Sequence, residues 1–94
     1  MDYSRSVNLS EGTSIDKIVV HSPVNEGVIK QHLLNKKSID YFTGGEVLSD
    51  LYSLCESYNI DQMSVDVYNK TGESPIVSIN IAKWFPEHSK HSNY

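Results

Sequence analysis

The sequence predicts an α+β fold, in which a small antiparallel sheet of two hairpins plus a short strand is covered by helices. Three observations lead to it. Alternating apolar and polar residues predict strands near both ends of the chain, and an amphipathic pattern between them predicts a helix. The connections are too short for repeated β–α–β units. With 94 residues the chain has the size of one domain, which we place at residues 1–86, followed by a polar, flexible tail at 87–94.

Two strands are predicted near the start of the chain. In residues 3–9 apolar and polar side chains alternate, and Arg5 interrupts the apolar row, a pattern typical of a strand at a sheet edge. Residues 15–21 are rich in β-branched side chains. Residues 10–14 have the composition of a turn, so the two strands are expected to form an N-terminal β-hairpin.

Residues 22–37 allow two interpretations. A Ser-Pro pair at residues 22–23 suits the start of a helix, and apolar residues then recur at helical spacing over about residues 23–35. The Asn-Glu-Gly sequence at residues 25–27 is also a suitable hairpin turn, which would make residues 28–34 a strand. We favour the helix.

The clearest element is an amphipathic helix over about residues 44–58. Residues 39–42 are predicted to lead to it as a short strand or an extended segment. Thr43 and Glu46 have the spacing of a capping box, in which both side chains satisfy free amides of the first turn. Apolar residues then follow at the spacing of one helix face, with serines and carboxylates on the other. Asn59 is the expected stop.

A second hairpin ends the predicted fold. Residues 63–68 and 77–82 both alternate, and a turn over residues 69–75 separates them. One face of this hairpin is aliphatic and the other polar, as expected for an antiparallel sheet that is covered on one side. The aliphatic face is predicted to pack against the helix.

Composition excludes several classes of protein. The chain has 12 acidic and 8 basic residues, a formal net charge of −4, which argues against direct binding to nucleic acid or to an anionic membrane. No apolar run approaches the ~18 residues of a membrane span, and the first residues do not resemble a signal peptide. We therefore expect a cytoplasmic protein. A single cysteine leaves no internal disulfide to form.

A search for chemistry finds no convincing catalytic set. Cys55 falls on the apolar side of the predicted helix, where a thiol is inert. His88 and His91 have a spacing that suits a metal on a helix, but they lie in the polar tail without further ligands. The glycine pair at residues 44–45 resembles a small anion nest, which Glu46 opposes by its charge. We expect no enzymatic activity, no metal and no cofactor.

Charge is distributed unevenly along the chain. Residues 38–69 contain six acidic residues and no lysine or arginine. This stretch is either an ordinary solvated face or an interface for a basic surface, since complementary charge speeds and orients association. Aromatic residues are frequent binding hot spots. The candidate partner-binding residues are Glu46, Asp50, Glu56 and Asp66 for charge, with Tyr68 and Trp84 as aromatic anchors.

These features favour a non-enzymatic protein that inhibits a larger, nucleic-acid-handling protein by covering its basic surface. Small acidic single domains of this make-up are typical of phage or plasmid antidefence inhibitors and of immunity proteins, an analogy of type rather than of residues. The alternative is a structural or regulatory homodimer that pairs through its edge strands. A small metal-binding module or enzyme using His88 and His91 comes third, and direct nucleic-acid binding last.

Overall fold

The computed structural model describes residues 2–70 and 72–83, and within them a four-stranded antiparallel sheet carries three helices on one face. The predicted α+β class is confirmed. In chain order the elements are β1 (Asp2–Val7), a 3-10 turn (Leu9–Glu11), β2 (Lys17–His21), α1 (Glu26–Leu34), α2 (Ile39–Thr43), α3 (Glu46–Ser57), β3 (Gln62–Tyr68) and β4 (Val77–Ala82).

The centre of the sheet is the predicted C-terminal hairpin. β3 and β4 pair antiparallel, and the sheet order is β1-β4-β3-β2. The odd-numbered residues of the two strands face each other on the helix side and are buried, whereas the even-numbered residues of β3 are half-buried or exposed on the open side. The directly opposed apolar pairs are Met63–Ile81, Val65–Ile79 and Val67–Val77.

The predicted N-terminal hairpin is wrong. β1 pairs with β4 and β2 pairs with β3, so the first two strands lie at opposite edges of the sheet. The connection over residues 8–16 crosses the end of the β3–β4 hairpin. Both ends of the connection are hydrogen-bonded to the hairpin: Asn8 N–H donates to Ile76 O and Asp16 N–H donates to Tyr68 O, each at 2.7 Å. Nine extended residues reach roughly 30 Å, enough to cross a sheet of four strands spaced about 4.8 Å apart.

β1 is an edge strand, as its pattern predicted, and Arg5 has a specific place in it. Arg5 lies opposite Ile79, so its side chain is on the helix-covered face of the sheet. There Nη1 donates a hydrogen bond of 2.6 Å to the carbonyl oxygen of Gly44, in the connection between α2 and α3. The residue that interrupts the apolar row therefore ties the edge strand to the helical layer.

The long predicted helix is confirmed as α3, but its predicted cap is wrong. Gly45 occupies the N-cap position, and no side chain caps the helix. Thr43 Oγ1 instead donates to Ile39 O at 2.9 Å, within the preceding helix α2, and is no longer available for a capping box. At the other end Asn59 ends the helix, as predicted. It has a left-handed φ of 55°, and Ile60 N–H donates to Cys55 O at 2.8 Å, as in a Schellman motif.

Residues 22–37 contain a helix, α1, rather than a strand. α1 starts later than predicted because the N-cap position is taken by Asn25, with a left-handed φ of 54°, and not by Ser22. Ser22 Oγ donates to Val24 O at 2.7 Å and so belongs to the loop. α1 packs along β2 and buries Ile29 and Leu33.

Residues 39–42 belong to the short helix α2, so the strand or extended segment predicted there is wrong. Tyr41 and Phe42 are neighbours in sequence and both are buried, with their rings in edge-to-face contact at 5.1 Å. A strand would point them to opposite faces. α2 packs against α3 and lets both rings enter the space between the helical layer and the sheet.

The packing predicts how the two sides of β4 respond to substitution. Ile79 is 0% exposed in a central strand, so Ile79→Ala is expected to lower the free energy of unfolding by about 2–5 kcal/mol through lost burial and a residual cavity. Chemical denaturation followed by circular dichroism measures it. Asn80→Ala changes the next, exposed residue and serves as control, with an expected effect within about 0.5 kcal/mol. Equal effects at the two positions would contradict this packing.

Candidate functional site

The outer surface of α3 carries the carboxylates that the sequence singled out. Glu46 and Glu56 are exposed at its two ends, about 15 Å apart for ten residues of helix. The exposed residues between them are serines at positions 49 and 53, and Ser57 follows Glu56; their short side chains do not cover the carboxylates. The opposite stripe holds α3 against the sheet through Val47, Leu51 and Cys55, all buried.

Positive charge does not neutralise this surface from within the helix. Residues 38–69 contain no lysine or arginine. Among the described residues Lys83 forms an ion pair with Asp61, and His21 and His32 lie near Asp66 and Asp50. None of these contacts involves Glu46 or Glu56. The outer face of α3 is consequently a surface of negative charge.

Asp50 differs from the other two carboxylates of α3, because it is held in place by the neighbouring helices. Tyr41 donates its hydroxyl proton to Asp50 Oδ2 at 2.5 Å, and His32 Nε2 lies 3.7 Å from the same oxygen. Lys36 Nζ sits over the Tyr41 ring, 5.5 Å from its centroid. Asp50 is thus hydrogen-bonded to α2 and lies close to His32 of α1, while its side chain stays 32% exposed.

The environment of Tyr41 strongly disfavours loss of its proton. Burial is the main cause that raises the pKa of Tyr41 far above its ordinary value, and the hydrogen bond to Asp50 and the charges of Asp50 and Glu46 add to it. The phenol therefore remains a hydrogen-bond donor over the whole ordinary pH range. This fixes the orientation of the Asp50 carboxylate on α3.

Asp66 and Tyr68 lie on the other layer of the molecule. Both are even-numbered residues of β3, whose odd-numbered neighbours are buried under the helices, so their side chains are on the open face of the sheet. Lys17 Nζ lies 4.8 Å from the centroid of the Tyr68 ring. The structure therefore does not bring Asp66 and Tyr68 together with the carboxylates of α3. Trp84 lies outside the described residues.

On the open face, Asp66 joins a serine and a histidine. Ser78 Oγ donates a short hydrogen bond to Asp66, and His21 Nε2 is 3.9 Å from the same carboxylate. Activation of a serine requires the imidazole to accept the serine proton, with the carboxylate behind the imidazole. Here the carboxylate stands between the other two groups, so this arrangement does not activate Ser78.

The cysteine and the possible metal ligands among the described residues do not form a reactive site either. Cys55 is buried, as predicted, and burial raises the pKa of its thiol, which keeps the reactive thiolate scarce. Across residues 2–70 and 72–83 no three His, Cys, Asp or Glu side chains gather in a way that could hold a metal ion. His88 and His91 lie outside these ranges.

An open cleft of about 730 Å³ lies where the β2–α1 connection meets the turn between α3 and β3. Its lining is mixed: His21, Val24 and Glu26 contribute from one side, and Asn59 and Asp61 from the other. Asp61 is already paired with Lys83, at 3.1 Å between Oδ1 and Nζ. Sequence reasoning missed this cleft because its walls come from distant segments, and no local pattern indicates that they meet.

Comparison with protein-family models, with curated proteins and with solved structures found no match to this chain. Among the helices of the described residues, none combines the length and the apolar character needed to cross a membrane.

The Tyr41–Asp50 contact predicts a specific dependence of stability on pH. Since the pKa of Tyr41 is raised in the folded state, the unfolded chain releases this proton first as the pH rises above about 10. The free energy of unfolding contributed by the protonated phenol is fully present below that pH and falls as the pH rises through the folded pKa. At neutral pH, Tyr41→Phe is expected to cost about 1–3 kcal/mol through the lost hydrogen bond to a charged group.

Denaturation curves of the wild type and Tyr41→Phe, collected at a series of pH values from neutral to alkaline, measure both effects. The other tyrosines are present in both proteins, so their titration cancels in the difference. The difference in the free energy of unfolding between the wild type and Tyr41→Phe should become smaller above pH ~10. A gap that stays constant with pH would show that the Tyr41 proton is not held in this way.

Proposed function

We propose that the protein is a non-catalytic binding protein that inhibits a basic, nucleic-acid-handling protein through the outer face of α3. The observation that carries the proposal is the exposed pair Glu46 and Glu56 on a well-packed helix, with exposed serines and the partly exposed Asp50 between them and no lysine or arginine in residues 38–69. Its class would be that of the antidefence inhibitors and immunity proteins.

The physical argument is one of charge and rigidity. A partner that handles nucleic acid presents lysine and arginine to phosphates, and these side chains accept carboxylates equally well. Exposed carboxylates lose little hydration until the partner arrives, and their field speeds its approach at low salt. Because α3 is fixed by its buried stripe, binding requires little ordering of the backbone.

Asp50 has a supporting part in this proposal. Its carboxylate is partly exposed and contributes negative charge, while the hydrogen bond from the Tyr41 hydroxyl holds its position. Asp66 and Tyr68 face the other side of the sheet, so a partner seated on α3 does not need them. Their role as binding residues, like that of Trp84, stays a prediction.

Two double variants with the same change in charge test the proposal. Glu46→Gln with Glu56→Gln neutralises α3, whereas Asp16→Asn with Glu73→Gln neutralises two exposed acids elsewhere. Each protein is immobilised and exposed to lysate of its native cell, and the captured proteins are identified by mass spectrometry. We expect a basic protein that binds the wild type and the second variant, is lost from the α3 variant, and is released by salt because exposed charges are screened.

Several outcomes would contradict the proposal. Equal capture by the two double variants would show that α3 is not the binding surface. Capture of only neutral or acidic proteins, or binding that does not weaken with salt, would show that charge complementarity is not the cause of binding.

A further inference from the structure

The outer edge of β1 has a row of backbone groups without a neighbouring strand among the described residues. Asn8 N–H points towards β4, since it donates to Ile76 O. Backbone groups alternate in direction along an antiparallel strand, so the even-numbered residues of β1 face β4. The N–H and C=O groups of Tyr3, Arg5 and Val7 consequently point away from the sheet, as a template for another strand.

The two edges of the sheet differ in what flanks them. On the helix side of β2, Ile18 and Val20 are 1% and 2% exposed, because α1 covers them. On the helix side of β1, Tyr3 and Val7 are 46% and 44% exposed. β1 thus combines free backbone groups with uncovered apolar surface, and β2 does not.

We propose that β1 pairs with β1 of a second copy of this chain, antiparallel and centred on Ser4. A two-fold axis between two antiparallel edge strands stands perpendicular to the sheet, so the helical layers of both copies lie on the same side. Residues that face each other across the axis must then come from the same face of β1. Two central registers satisfy this condition, one centred on Ser4 and one on Arg5.

Charge decides between the two registers. Centring on Arg5 places Arg5 opposite the partner's Arg5, two like charges on the same face of the sheet, which is unfavourable. Centring on Ser4 places Arg5 opposite the partner's Tyr3, an uncharged aromatic residue, and forms this pair twice. In that register the Arg5 guanidinium keeps its hydrogen bond to Gly44 O.

The dimer has a consequence for the acidic surface, although the inference itself does not rest on the proposed function. With both helical layers on one side, the two copies of α3 face the same direction. Glu46 and Glu56 of each copy then contribute to one wider negative surface, and two weak contacts to a partner act together.

Cysteine substitution tests the pairing and its register. In the Ser4-centred dimer, Ser4 and the partner's Ser4 form a pair without mutual hydrogen bonds, with Cα atoms about 4.5 Å apart, within the range of a disulfide. Ser4→Cys is therefore expected to form a covalent dimer under mild oxidation on a non-reducing gel. Ser6→Cys is the matched control, an exposed serine on the same face of the same strand. In this register, Ser6 of one copy lies four residues along the strand from Ser6 of the other copy, roughly 13 Å away.

Val19→Cys is the control for the other edge, because it lies at the centre of β2. We expect a covalent dimer from Ser4→Cys and none from Ser6→Cys or Val19→Cys. The absence of a covalent dimer from Ser4→Cys, or equal yields from Ser4→Cys and either control, would overturn the proposal.

A backbone substitution gives an independent measurement. Tyr3→Pro removes an N–H that points outward and leaves the hydrogen bonds to β4 in place, a position where an edge strand tolerates proline. Sedimentation of the full chain over a range of concentrations should show a dimer for the wild type and association at least about tenfold weaker for Tyr3→Pro, with an unchanged circular dichroism spectrum. A wild type that stays monomeric at every concentration would overturn the proposal and show that this edge is left free or is covered by another segment.

Discussion

The hairpin of β3 and β4 is the element on which the rest of this fold depends. Its three directly opposed apolar pairs form the floor of the core, and its two outer edges are the only places where further strands can join. β1 takes one edge and β2 the other. Each must present its apolar residues to the same side as the hairpin, so the helical layer has only one face on which to pack. The connection over residues 8–16 has to cross the end of the hairpin for both strands to reach their places.

Elements with strong local patterns could be predicted from the sequence. The alternation of β3 and β4 and the amphipathic stripe of α3 are visible within single segments, as is Asn59, which supplies the left-handed residue that ends α3. Strand partners could not be predicted in the same way, because a turn-like loop composition does not reveal which edge a strand will join. α2 was missed because it has five residues, too few to show a helical period, and its burial of Tyr41 and Phe42 depends on α3 and the sheet.

The candidate site shows a related limit of prediction from sequence. Residues 38–69 form one acidic stretch along the chain, but the stretch passes through both layers of the molecule. Glu46 and Glu56 lie on the helical layer, whereas Asp66 lies on the open face of the sheet, as the burial of Val65 and Val67 on either side of it requires. Charge density along a sequence is therefore a guide to a surface only within one helix face or one strand face. The links from Asp50 to Tyr41 and His32 join residues from three helices, and no spacing in the sequence indicates them.

The pairing of β1 with β4 joins the beginning of the described chain to its end, with Asp2 opposite Ala82. During synthesis, the first strand leaves the ribosome long before its partner exists. Contacts of such large separation in sequence form late and slow the folding reaction. Until β4 emerges, the backbone groups of β1 that will pair with it have no partner strand, and this segment is open to association with other nascent chains. The sheet can be completed only after β4 has been made, so this fold is finished only once all four strands have been translated.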